Sequence, residues 1–159
     1  MSDIFQNVTI KTQHNLSRRS VEEKESELLD FSRQLPQSQV LPSLYTELSG
    51  PAIPGIVNEL KKVSYLGEIV VGLDRANQQE YQHALCFLAE LPQHHRVLWN
   101  DGPRLQKIDA ELKEKGLAPL ELGKGRNVWY CLGYVLASGR AESIALHDCD
   151  ITTYTRELL

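Results

Sequence analysis

From residue 39 onward the chain alternates short apolar runs with stretches of helical periodicity. That is the pattern of a mostly parallel sheet with helices packed on its faces. Residues 40–44 predict a first strand, and Pro51 and Pro54 then mark the start of a helix whose buried face is Ile56, Val57 and Leu60. Residues 68–73, strongly β-branched, predict a second strand. Residues 76–91 predict a helix with Tyr81, Ala84, Leu85, Leu88 and Ala89 inward and Pro92 at its exit. A third strand over 96–99 runs into Asn100-Asp101-Gly102-Pro103, where Asp101 is placed to cap a helix carrying Leu105, Ile108 and Leu112 and closed by Gly116. Residues 118–122 form a short apolar patch and a candidate strand. Gly123-Lys124-Gly125 then opens a helix with Val128, Leu132, Val135 and Leu136 on one face and Gly139 at its end. The last strand, 143–147, leads directly into Asp148-Cys149-Asp150.

Residues 1–38 follow a different rule. They are polar and weakly patterned up to Ser20, where Ser20-Val21-Glu22-Glu23 has the form of a capping box. A helix to about residue 35 follows, stopped by Pro36, with Val21, Leu28, Leu29, Phe31 and Leu35 loosely on one face. The chain is thus expected to divide into an appended arm with one helix, residues 1–38, which packs on the body, and an α/β domain over 39–159. No internal repeat or low-complexity segment interrupts it.

Composition narrows the class without changing it. With 159 residues, 42% hydrophobic and 24% charged, the chain has the make-up of about one globular domain. A formal net charge of -4 argues against a large nucleic-acid surface. No apolar run approaches the roughly 20 residues of a membrane span. The first residues lack the pattern of a secretory signal, so a cytoplasmic location is expected. Cys86, Cys131 and Cys149 are widely spaced with no C-x-x-C, and read as reduced thiols rather than as a disulfide framework or a zinc site. The G-x-G-x-x-G fingerprint, the P-loop and the G-x-S-x-G elbow are all missing.

The sharpest chemical feature is Asp148-Cys149-Asp150 at a strand terminus. In extended chain the side chains at i and i+2 point the same way, so both carboxylates face one pocket while Cys149 turns away. Two hard oxygen donors suit Mg²⁺ or Mn²⁺, which takes one or two protein carboxylates and completes its shell from substrate phosphates and water. Most such triplets are simply polar turns, so context decides. Gly123-Lys124-Gly125 supplies some: a glycine-flanked lysine at a helix N-terminus offers backbone N–H groups and an ammonium to a diphosphate. Asp74, just past the second strand, either accepts from a base or ribose or caps the next helix. His94-His95 diverge on an extended segment and read as surface residues. Trp99 and Trp129 read as packing, and neither Cys86 nor Cys131 has the partners of a nucleophile.

Together these motifs, over about residues 40–151, resemble the nucleotide-binding half of GT-A glycosyltransferases. The likeness is narrower still to the glucosyl-3-phosphoglycerate synthase family and its mannosyl- and glucosylglycerate-forming relatives. Leu41-Pro42-Ser43-Leu44-Tyr45-Thr46-Glu47 is similar to the first-strand segment that cradles the nucleoside in that family. Glu68 to Asp74 stands where the family has its second strand and base-side carboxylate. Gly123-Lys124-Gly125, with Trp129 shortly after, resembles its Gly-Lys-Gly loop, and Asp148-Cys149-Asp150 its metal-binding D-x-D. The resemblance implies a Rossmann-like GT-A fold and a donor-binding set of Pro42, Ser43, Tyr45, Glu47, Asp74, Gly123, Lys124, Asp148 and Cys149. It also implies Mg²⁺ or Mn²⁺ on Asp148 and Asp150. The implied reaction is retaining transfer from UDP-glucose or a GDP-sugar to 3-phosphoglycerate or glycerate, with a homodimer as the allowed assembly and no nucleic-acid or membrane partner.

Two departures stand out. Asp74-Arg75-Ala76 lacks the glycine-serine turn common after that strand, and only residues 151–159 follow the D-x-D, where the family places its acceptor pocket. The alternative reading is therefore a truncated nucleotide-diphosphate-binding module without turnover, needing a missing acceptor half or a partner chain. No catalytic residue is named on either reading. A sugar nucleotidyltransferase is disfavoured because residues 46–51 lack a glycine-rich basic loop.

Overall fold

A computed structural model of the 159-residue chain describes residues 19–159. The part of the expected arm in residues 1–18 lies outside the described residues. Helix α1, Val21–Ser32, opens on the expected capping box, with Ser20 accepting from the Glu23 N–H and Glu23 from the Ser20 N–H. It has no buried residue. Leu28 rests on the core, and the Arg156 guanidinium holds Glu25 at 2.6 Å, so the helix does lean on the body.

Four strands follow: β1 Gln37–Leu44, β2 Leu66–Asp74, β3 His95–Trp99 and β4 Ser143–Leu146. They form one sheet, all parallel, in the order β3-β2-β1-β4. This is the expected α/β, Rossmann-like architecture. The sheet begins two residues before the expected boundary at 38/39, because Gln37 and Ser38 already pair with Leu66 and Glu68.

The helices divide by face. After β1 come a single turn, α2 Tyr45–Leu48, and α3 Ala52–Leu60; α4, Gln78–Leu88, follows β2. Ile53, Ile56, Val57 and Leu60 of α3 and Ala84 and Leu88 of α4 join Leu41, Ile69, Val71 and Leu73 in the main apolar cluster. On the other face, α6 Lys124–Ser138 places Cys131 and Val135 on Val40 and Val70. Helix α5, Pro103–Glu114, touches α6 through the bond from the Tyr130 hydroxyl to Asp109.

Several local expectations are overturned. Asp101 does not cap α5; Gly102 is the N-cap, and Asp101 instead accepts from the Ala76 N–H at 3.0 Å. Ile108 is exposed, and the residue α5 buries is Asp109. Ala89 is the exposed C-cap of α4, not part of its inner face. Residues 118–122 form no strand, and Leu120 is 98% exposed, since no neighbouring strand offers them a ladder. Leu136 is 78% exposed because α6 turns its 127-131-135 row, not the 128-132-136 row, toward the sheet. Strand β4 was expected to be buried; it is a half-exposed edge of four residues. Among the described residues no helix is long and apolar enough to cross a membrane.

Candidate nucleotide and metal site

Order β3-β2-β1-β4 puts β1 in the middle with connections leaving in opposite directions, which opens a crevice beyond the carboxyl ends of β1 and β4. The sequence widens it. Pairing of β1 with β4 ends at Val40↔Leu146 and a last bond from the His147 N–H to the Val40 carbonyl, 3.1 Å. Two residues further on, Pro42 has no N–H with which to continue a ladder. The strands separate there, and a cavity of about 190 Å³ lies between them.

Pro42, Ser43, Leu44 and Glu47 line one wall and Asp74 and Arg75 the next. Gly123, Lys124 and Asn127 come from the start of α6, and Asp148, Cys149 and Asp150 close the far side. The expected site residues thus converge on one cavity, with one exception. Tyr45 is not among the lining residues; it starts α2 and its hydroxyl meets His83 Nδ1 at 3.3 Å.

Each wall has a physical cause. Glu47 is fastened to the end of β1, one carboxylate oxygen accepting from the Leu44 N–H at 2.9 Å and the Ser43 hydroxyl at 3.1 Å. Asp74 does not cap α4, where Asn77 accepts from the Glu80 N–H; it is buried with Arg126, 3.6 Å away. Gly123 turns the chain into α6 at φ 141°, a conformation natural to glycine. Helix geometry then leaves the N–H groups of the first turn of α6 without intrahelical acceptors. Lys124 Nζ lies 2.5 Å from Asp148 Oδ1, and this bond, more than the neighbouring charges of Asp150 and Glu47, holds its ammonium above the ordinary lysine value. Both side chains stay about half exposed, so the pair is screened and readily exchanged for another partner.

The D-x-D segment differs in shape from the extended triplet that was expected: the chain turns at Cys149 and Asp150. Asp148, Cys149 and Asp150 all line the cavity, with Cys149 only 2% exposed. Burial pushes its thiol up to about 12, so it remains protonated and is no thiolate ligand at neutral pH. The donor set on offer is therefore two hard carboxylates. Among the described residues no group of three or more His, Cys, Asp or Glu could hold a metal by itself. Mg²⁺ commonly takes one or two protein carboxylates and draws its other ligands from phosphate and water.

Sequence reasoning missed Arg75, Arg126 and Asn127. Asn127 Nδ2 donates to the Gly72 carbonyl at 2.8 Å, and a Cβ on Gly72 would stand 1.8 Å from Asn127 Oδ1, so the helix start is locked against β2. The signal was present in the i, i+4, i+8 row Asn127-Cys131-Val135, whose first member is polar and so falls outside an apolar search. The expected surface pair divides: His94 reaches the buried Glu68 at 3.2 Å, whereas His95 Nδ1 meets the Gln93 carbonyl. Trp99 packs as expected, stacked on Tyr81 at 4.8 Å, but Trp129 is 42% exposed.

An all-parallel, doubly wound sheet with polar and charged groups gathered at its switch point is the Rossmann-like class of α/β protein. Within it, the chain is 47% identical over 158 residues to a protein of Persephonella marina named glucosyl-3-phosphoglycerate synthase. A protein of the same name from Methanococcoides burtonii is 35% identical over 136 residues. These matches take in 99% and 85% of this chain but only 39% and 33% of the relatives, so the chain spans well under half the length of the curated relatives it matches. No family model and no solved structure matches it.

Proposed function

We propose that this chain forms the donor-binding half of a metal-dependent glycosyltransferase. The full reaction is retaining transfer of a glucosyl group from a UDP- or GDP-linked sugar to 3-phosphoglycerate or glycerate. The observation that carries this reading is the convergence of four separate sequence motifs on one cavity at the switch point, in a chain similar to two proteins named glucosyl-3-phosphoglycerate synthase.

On this reading each residue has a limited task. Pro42 opens the crevice, and Ser43 and Glu47 shape the wall beside β1 where a nucleoside lies. Lys124 and the free N–H groups of α6 meet the diphosphate, with the lysine released from Asp148 as phosphate oxygens replace the carboxylate. Asp148 and Asp150 hold Mg²⁺ or Mn²⁺, which when bound supplies positive charge against the leaving diphosphate. Cys149 packs under the site as a neutral thiol. The acceptor would be met by residues beyond this set. The short coverage of the relatives favours a second reading, a module that binds nucleotide diphosphate and metal without turnover until completed by further chain.

The test measures nucleoside diphosphate binding with and without Mn²⁺, and transfer of a labelled sugar in parallel. Metal-dependent binding is expected, and its dependence on Mn²⁺ should vanish in Asp150→Ala while circular dichroism stays unchanged. Metal dependence that survives the substitution removes Asp150 from the site. Binding with no transfer selects the module reading.

A further inference from the structure

Arg75 is the only non-glycine residue at positive φ among the described residues, at 55°. Such a conformation is unfavourable for an arginine and persists where the surroundings impose it. Here they do. The next residue, Ala76, is buried; its N–H donates to Asp101 at 3.0 Å and its carbonyl accepts from Trp99 Nε1 at 2.7 Å. Asn77 then starts the capping box of α4. The turn is fixed after Arg75 by β3, the loop after it and α4, and before it by the pairing of Asp74 with Leu44 of β1, and Arg75 lines the cavity.

The charges around it differ in kind. Lys124 is neutralised by Asp148 and Arg126 faces Asp74, but Arg75 is exposed and has no hydrogen bond or ion pair with any described residue. It also stands at the opposite end of the cavity from the D-x-D. The carboxyl ends of β2 and β4 are separated by β1, two strand spacings or about 10 Å. A nucleoside diphosphate bridges that distance and an inorganic phosphate does not. With the diphosphate at Lys124 and Asp148, the base lies toward Arg75.

We infer that Arg75 reads the nucleobase of the donor and selects guanine. This rests on the nucleotide reading of the cavity given above. A guanidinium offers two parallel N–H donors, and guanine presents two adjacent acceptors, O6 and N7, that match them. Adenine pairs its N7 with an amino donor, and uracil sets its O4 beside an N–H, so each satisfies one arm of the fork at most. The strained backbone is then a device that holds the fork over the base.

The test is calorimetric binding of GDP, UDP and ADP, each with Mg²⁺, to the 159-residue chain and to Arg75→Ala, Arg75→Lys and Arg75→Gly. The wild-type chain should favour GDP by about 5- to 150-fold, the range one bidentate base contact provides. Arg75→Ala and Arg75→Gly should erase that preference by weakening GDP alone, and Arg75→Lys should restore little of it. Arg75→Gly, free of the positive-φ cost, should melt no lower than wild type, which separates lost contact from lost fold. Equal weakening of all three nucleotides would make Arg75 a phosphate contact and overturn the inference, as would no change. A wild-type chain that binds none of the three would overturn the nucleotide reading itself, a result distinct from binding indifferent to Arg75.

Discussion

Along β2, Ile69, Val71 and Leu73 enter an apolar cluster with α3 and α4, whereas Glu68, Val70, Gly72 and Asp74 face α6. The first set packs into a mainly apolar cluster and fills one side of the sheet by burial. The second meets, in turn, the Tyr134 hydroxyl at 3.0 Å, Cys131 and Val135, the Asn127 amide and the Arg126 guanidinium. Its partners run backward along α6 because the helix is antiparallel to the strand. One face supplies the non-directional driving force of folding. The other fixes α6 at one register through directional contacts, and that register brings Lys124 to Asp148. The polar face therefore costs some stability that the apolar face offsets, and in return it positions the site.

If the faces divide the work this way, Ile69→Ala should show the largest effect. Ile69 is fully buried, and its loss should lower unfolding free energy by about 2–5 kcal/mol in urea, with nucleotide affinity of the folded fraction unchanged. A smaller stability loss, about 1–3 kcal/mol, is expected for Gly72→Ala, whose new methyl would press on Asn127 and on Cys131 Sγ, 2.5 Å away. This variant should also bind nucleotide more weakly, because α6 must shift; wild-type affinity would show that the close approach at Gly72 does not set the register.

Lys124→Ala separates positioning from binding. It should weaken nucleotide diphosphate binding by about 1–3 kcal/mol and barely move the melting temperature. An unaltered dissociation constant would return Lys124 to the role of a solvated partner for Asp148.

The smallest expected effect lies in acid. Lys113 first, then the Tyr130 hydroxyl, holds the Asp109 carboxyl below its ordinary 3.8. A lowered folded value stabilises the protein above pH 3.8, and that contribution is lost as pH falls through the folded value. The stability gap between wild type and Asp109→Asn should be constant near neutrality and shrink below pH 3.8. A gap that stays constant in acid would mean the buried contact does not depend on charge.

Much of this was legible along the chain. The run Ile69-Val70-Val71 of β2 is buried on both faces, so it reads as continuous apolar sequence, and the glycines at 123 and 139 bracket α6 because helix ends demand such residues. What failed to read follows from contacts distant in sequence. Asp101 looks like a helix cap until Ala76 is brought beside it, and Asp74 looks like one until Arg126 is. The outer leucines of α6 follow helical periodicity as well as the inner row does, and only the sheet decides which is buried.

Local pattern by itself determined the α/β class, most element positions and the residue types of the carboxylate and lysine motifs, because period, caps and glycine turns act within a few residues. Tertiary structure alone decided that β4 pairs beside β1, that the Tyr45 hydroxyl meets His83 while Arg75 lines the crevice, and that Lys124 meets Asp148. Those outcomes depend on strand order and helix register, which arise when segments far apart in sequence compete to bury the same surface.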